Sequence, residues 1–146
     1  MKPIFAFLLG ITICGAAPGR LHAQAGSPAS SGVYTTQQAE RGSTLYQSKC
    51  SSCHGADLSG GGTSPALAGP DFLANWTGQP VAALLDRIRK TMPADRPDTL
   101  TAQQAVDLVA FLLRANRFPA GKTELPADAD RLQHILIDTP PSAPAN

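Results

Sequence analysis

Cys50-Ser51-Ser52-Cys53-His54 is the stretch on which the reading of this chain turns. It sets two thiols one helical turn apart and a histidine directly after the second. This C-x-x-C-H spacing is the attachment pattern for a c-type haem. The thiols add to the two vinyl groups, and the histidine projects under the ring as an iron ligand. Two other chemistries use the same residue types. A thioredoxin-type dithiol needs a βαβ surrounding, and no β alternation is found here. A structural zinc would take Cys50, Cys53 and His54, with His134 as a fourth ligand. Such sites draw their second ligand pair at close spacing, and the chain has no second C-x-x-C and no H-x-x-x-H. The motif therefore predicts one covalently bound haem c on Cys50 and Cys53, with His54 on its iron.

The start of the chain predicts export. Lys2 precedes an apolar run, Ile4 to Ala17, broken only by Gly10, Thr12 and Gly15. Ala23-Gln24-Ala25 then matches the small-x-small rule for signal cleavage. Cleavage after Ala25 is the first choice, and after Ala23 the second. The run falls short of the roughly 20 apolar residues of a membrane span, so no membrane anchor is expected after cleavage. Cys14 follows Ile13, where a lipid-attachment site wants a small residue. Loss of residues 1–25 removes Cys14, Lys2 and Arg20. Of three cysteines, Cys50 and Cys53 remain, and the 12 basic residues fall to 10 against 11 acidic. A near-neutral chain of this kind points to neither nucleic acid nor an anionic membrane as partner. The periplasm is the expected compartment.

The second iron ligand is sought among methionines and histidines. A sulfur ligand raises the potential and suits electron transfer. Met1 leaves with the signal, so Met92 is the methionine that remains. It lies in Thr91-Met92-Pro93-Ala94, after an apparent helix, and Pro93 biases it toward extended backbone. The plainer reading of Met92 is a core filler, against which stand its loop neighbours Pro93, Asp95, Arg96 and Pro97. His134 is the competing ligand, and a histidine in a tail is commonly a surface residue.

Along the chain, residues 26–33 read as a flexible leader of Gly, Ser, Pro and Ala. Thr36 reads as an N-cap, and Ala39, Gly42, Leu45 and Tyr46 recur at helical spacing toward Cys50. Residues 55–70, rich in Gly and Pro, form a loop. Asp71–Trp76 makes a short helical turn, and Pro80 opens a helix through Val81, Leu84, Leu85 and Ile88. Thr101 caps a last helix with the stripe Ala105, Leu108, Val109, Leu112 and Leu113. Residues 119–146 form a Pro-rich C-terminal tail with an apolar patch at Leu132, Ile135, Leu136 and Ile137.

Helix, C-x-x-C-H, loop, helix, methionine loop, helix: this order resembles the class I cytochrome c family over residues 34–118. The resemblance implies an all-α class I cytochrome c fold packed around one covalent haem. It implies that the first helix crosses the last, with Gly42 and Tyr46 meeting Phe111 and Leu112. It implies that the Pro65 carbonyl holds His54. Trp76 is then a candidate indole donor to a haem propionate, or equally a core aromatic. Arg87 or Arg89 is a candidate propionate partner, or a solvated helix face. More narrowly, Asn75-Trp76, the run Arg87–Pro93 and the tail Phe118–Pro126 resemble small periplasmic cytochromes found beside, or fused to, quinoprotein dehydrogenases. The implied role is a carrier of single electrons, not an enzyme. Its donor would be a quinoprotein dehydrogenase and its acceptor another cytochrome or an oxidase. Two rivals stand beside it: a fixed subunit of a dehydrogenase or oxidase complex, docked through residues 119–146, and a haem enzyme or gas sensor with an open iron.

Overall fold

The computed structural model describes residues 26–142, so the signal expected over residues 1–25 lies outside them. The principal helices are α1 (Thr36–Lys49), α2 (Ser51–His54), α3 (Pro70–Trp76), α4 (Val81–Thr91), α5 (Ala102–Ala115) and α6 (Ala129–Leu132). A 3-10 turn at Ala29–Ser31 and a two-residue parallel pairing of β1 (Ser27–Pro28) with β2 (Ile135–Leu136) complete the chain. The expected all-α class holds. The parallel pair is an addition that local sequence does not announce.

Each long helix begins and ends for a local reason. The cap of α1 is Thr35 rather than Thr36: its hydroxyl accepts from the Gln38 N–H. Helix α4 follows Pro80, which stands outside the helix as its cap in extended conformation. It stops at Met92, whose φ of −124° and ψ of 146° are the extended backbone that a following proline favours. Thr101 caps α5 in a full capping box with Gln104.

Helix α5 lies at the centre. Its nine consecutive residues Ala105–Leu113 are all buried, not only the expected stripe. A helix buried all round must have partners all round. Helix α1 covers one side and α4 another. The closest approach is at Gly42, where a Cβ would overlap the Asp107 carbonyl oxygen and fall 2.8 Å from Phe111 Cβ. One turn on, the Tyr46 and Phe111 rings meet with centroids 5.1 Å apart. Asp107 is tolerated in this buried run because Arg41 of α1 grips both its oxygens, at 2.9 and 3.0 Å. The same guanidinium binds Glu124 of the tail at 2.9 and 3.0 Å.

The leader and the tail depart from expectation. Residues 26–33 are not a free leader. Ala29 is fully buried, β1 pairs with β2, and the Ser30 N–H donates to Asp138 at 2.9 Å. Residues 119–138 do not project as a docking arm but wrap back over the helices. The Gln38 side chain exchanges two hydrogen bonds with the backbone of Leu125, at 3.0 and 2.8 Å. The Tyr34 hydroxyl donates to Phe118 O at 2.6 Å. Leu125, Leu132 and Ile137 are buried, and α6 packs on α4. The physical reason is range. The Ser30–Asp138 bond joins residues 108 positions apart, and composition reports only what a segment can do by itself.

The Gly42 contact yields a prediction. Ala in place of Gly within a helix gains about 1 kcal/mol of propensity. Overpacking against rigid backbone costs about 1–3 kcal/mol and sometimes more. Because the added Cβ would overlap backbone, the cost here falls at the upper end, and Gly42→Ala should lower the unfolding free energy of the haem-loaded protein by roughly 2 kcal/mol in denaturant titration. Unchanged or increased stability would mean that α1 is not seated on α5 at this point.

Candidate functional site

Helix α1 ends at Lys49, and the chain turns directly into α2, which is the motif itself. The Cys53 and His54 N–H groups both return to the Cys50 carbonyl, at 3.2 and 3.0 Å. This single turn presents Cys50, Cys53 and His54 to one cavity of about 1070 Å³. Cys50 is partly buried, Cys53 is exposed, and the two thiols are not joined. Burial pushes the Cys50 thiol above its ordinary pKa, with Lys49 opposing the shift.

His54 is 7 % exposed, so its ring must be satisfied from within. Its Nδ1 lies 2.9 Å from the carbonyl oxygen of Pro65. A carbonyl oxygen only accepts, so Nδ1 carries a proton, and in the neutral ring Nε2 keeps the lone pair. That is the tautomer a metal ligand needs, and an outer-shell carbonyl of this kind fixes ring orientation.

The loop that carries Pro65 is held on both flanks. Gly60 has a φ of +77°, a conformation rare for other residues, and its N–H donates to the His54 carbonyl at 2.9 Å. Gly61 and Ser64 exchange two hydrogen bonds, at 3.0 and 2.9 Å. On the near side, the buried Tyr46 hydroxyl donates to Gly55 O at 2.6 Å and pins the residue after His54. Burial pushes the Tyr46 phenol up to about 12, which keeps it a donor throughout the physiological range.

Met92 lines the same cavity. So do Leu108 and Leu112 of α5 and Leu84 and Ile88 of α4, which give it apolar walls. Trp76 also lines it and packs against Phe72, with ring centroids 6.3 Å apart. Both readings of Trp76, propionate donor and core aromatic, therefore retain a basis in the geometry. Of the two arginines of α4, Arg87 lines the cavity and Arg89 does not. With Lys49 and Arg96 it sets three cations against one carboxylate, Asp95, around the lining. His134 is exposed and has no part in this cavity.

This set of residues fits a haem. There is apolar space for a ring, a histidine with a free Nε2, two unpaired thiols, a methionine at the same cavity and cations for acidic side groups. Among the described residues, no cluster of three or more His, Cys, Asp or Glu could hold a metal ion by itself. That weighs against the zinc reading. Sequence reasoning did not find Asn116, whose side chain ties the loop after Pro65 to the end of α5. Only its position directly after the apolar stripe could have drawn notice.

Comparisons with known proteins agree with this geometry. The family model described as cytochrome C oxidase, cbb3-type, subunit III matches residues 37–112. That span runs from the first turn of α1 to Leu112 of α5 and includes the motif, its loop and Met92. A chain in the crystal structure of the sulfane dehydrogenase SoxCD from Paracoccus pantotrophus is similar in fold, with a TM-score of 0.53 and 21% sequence identity over 89% of this chain and 68% of that one. No curated protein matches significantly. No helix among the described residues is long and apolar enough to cross a membrane. With a helical fold built around a C-x-x-C-H turn and a family model that covers the whole haem-binding core, the chain belongs to the c-type cytochrome family described as cytochrome c oxidase, cbb3-type, subunit III.

Proposed function

We propose that this protein is an exported, periplasmic monohaem cytochrome that carries single electrons between larger redox proteins. Cys50 and Cys53 would hold the haem by thioether bonds. His54, through Nε2, and Met92, through Sδ, would hold its iron. One observation carries the reading: a histidine with its Nδ1 committed to Pro65 and the one methionine among the described residues line the same cavity as the two free thiols. Bound haem supplies a one-electron Fe(III)/Fe(II) couple.

The chain's own residues divide the remaining work. Pro65 O keeps the His54 ring in its ligating tautomer. Leu84, Ile88, Leu108 and Leu112 exclude water from the cavity and favour the state of lower charge. Arg87, with Trp76, is the candidate partner of a propionate. With both His54 and Met92 committed to the iron there would be no open position for oxygen or peroxide, so the reading is of a carrier and not an enzyme. The exposed Cys53 lies where a partner could approach the haem edge closely, and transient redox contacts of this kind are often below about 1,200 Å². By the sequence resemblance, the donor is a quinoprotein dehydrogenase and the acceptor another cytochrome or an oxidase.

A second reading, a fixed cytochrome subunit of a dehydrogenase, is favoured by the likeness to a chain of a sulfane dehydrogenase. Co-purification with a large partner through gel filtration separates it from the free carrier.

Three outcomes test the proposal. Haem colour should stay with the denatured protein through acid–acetone extraction; colour that extracts, or zinc without iron, ends the central claim. Met92→Ala should keep the haem, lower the potential and bind carbon monoxide when reduced, while the parent does not. A spectrum unmoved by Met92→Ala but altered by His134→Ala would assign a bis-histidine iron instead. Finally, the near-neutral charge predicts weak steering. Stopped-flow reduction by a quinoprotein dehydrogenase should slow only modestly as salt rises, and failure of every such dehydrogenase of the same cell to reduce the protein would remove that donor.

A further inference from the structure

Asn116 does more than end a helix. It is the C-cap of α5 and is 4 % exposed. Its Nδ2 donates to Leu112 O at 2.9 Å and to Leu67 O at 3.0 Å, and its Oδ1 accepts from the Gly69 N–H at 2.9 Å. The orientation of the amide is dictated, because the two carbonyls only accept and the N–H only donates. Capping α5 needs only the bond to Leu112. The other two bonds reach a different segment, the loop that leaves Pro65.

The backbone holds of that loop run to the histidine turn, through the Gly60 N–H to His54 O, and within the loop itself. Pro65 has no N–H with which to anchor itself. On its N-terminal side the chain is fixed by the Gly61–Ser64 pair, and on its C-terminal side Leu67 N–H donates to Leu58 O at 2.8 Å. Both of these are bonds within the same loop. Asn116 supplies a direct side-chain tie from this stretch to the central helix, two residues from the carbonyl that receives the His54 Nδ1–H. Helix α5 thus sets both the apolar wall of the cavity, through Leu108 and Leu112, and the position of the Pro65 carbonyl.

We infer that Asn116 is a positioning residue for His54: by clamping Leu67 and Gly69 to the end of α5 it holds the Pro65 carbonyl against the imidazole, and so sets the electron donation of the ring to iron. The inference rests on the proposed ligation by His54. A hydrogen bond from Nδ1–H raises the basicity of the ligating ring, and a more basic ring favours Fe(III). Without Asn116, Leu67 O and the Gly69 N–H lose a buried partner. The loop then shifts to recover bonds, and the His54–Pro65 contact loosens.

The test uses the haem-loaded full chain in three variants. Asn116→Leu removes the amide at similar volume. Asn116→Ser is milder: its hydroxyl can still cap Leu112 but cannot span to both Leu67 and Gly69, and it decides the matter should the leucine variant fail to fold. Gln38→Leu removes another buried amide, the one that pins Leu125, and serves as the control for plain loss of stability. The Asn116 variants should shift the Fe(III)/Fe(II) equilibrium toward Fe(II) roughly threefold, about 28 mV at 59 mV per tenfold step for one electron. In NMR of the reduced protein, exchange of the His54 Nδ1 proton with solvent should accelerate by roughly tenfold. Gln38→Leu should lower stability and move neither. If the Asn116 variants lose stability while potential and proton exchange stay at parent values, Asn116 is a helix cap only and the inference falls. Ring-nitrogen resonances that show His54 unbound to iron in the parent would overturn the ligation reading and this inference together.

Discussion

The approach of α1 to α5 at Gly42 is the contact on which the site depends. A helix rises 1.5 Å per residue, so once the crossing is fixed each later residue of α1 is placed by counting. Tyr46 is one turn beyond Gly42 and meets Phe111. Cys50 and His54 come in the next two turns, at the end of α1 and in α2. On the partner helix, Leu108, Leu112 and Asn116 step along α5 in the same way. Two helices in rigid contact thus hold the histidine-bearing turn and the opposite apolar wall at a defined spacing. A side chain at position 42 would pry them apart.

The far side of the cavity is secured differently. Helix α4 delivers Met92 and is held from within by α5 and from without by α6. Just before α4, the Gly78 N–H donates to Ile137 O at 2.7 Å and Ile137 N–H to Gln79 O at 2.9 Å. Tail residues therefore brace the methionine side of the site. A small domain with a cavity of about 1070 Å³ has less apolar core of its own than its length suggests. Wrapping leader and tail around the outside recovers burial through Ala29, Leu125, Leu132 and Ile137.

The buried polar residues share one task. Gln38 fastens the tail to α1, and Asp107 fastens α5 to α1 through Arg41. His54 fastens α2 to the proline loop, and Asn116 fastens that loop to α5. Each joins segments that no continuous helix joins. Among the described residues, no buried side-chain polar atom lacks a partner. An unpaired buried polar group costs about 1–3 kcal/mol, so each tie favours one arrangement over its slipped alternatives.

The sequence by itself determined the local chemistry. C-x-x-C-H makes one helical turn that presents two thiols and a histidine, Pro93 holds Met92 extended, and the caps and apolar periodicity place α1, α4 and α5 within a residue or so. These depend on interactions spanning a few positions, which a linear reading contains. The Pro65 carbonyl and the Gly42 crossing came from resemblance, not from spacing. What only the tertiary structure decided was long-range: the docking of residues 26–33 and of the tail, the burial of α5 on every side, the choice of Arg87 over Arg89 at the cavity, and the clamp of Asn116. Asn116 lies 49 positions from Leu67 and Ser30 lies 108 from Asp138. Such pairs form only when the helices have already packed, because hydrogen bonds to backbone carbonyls and amides carry no residue-type signature at the receiving end.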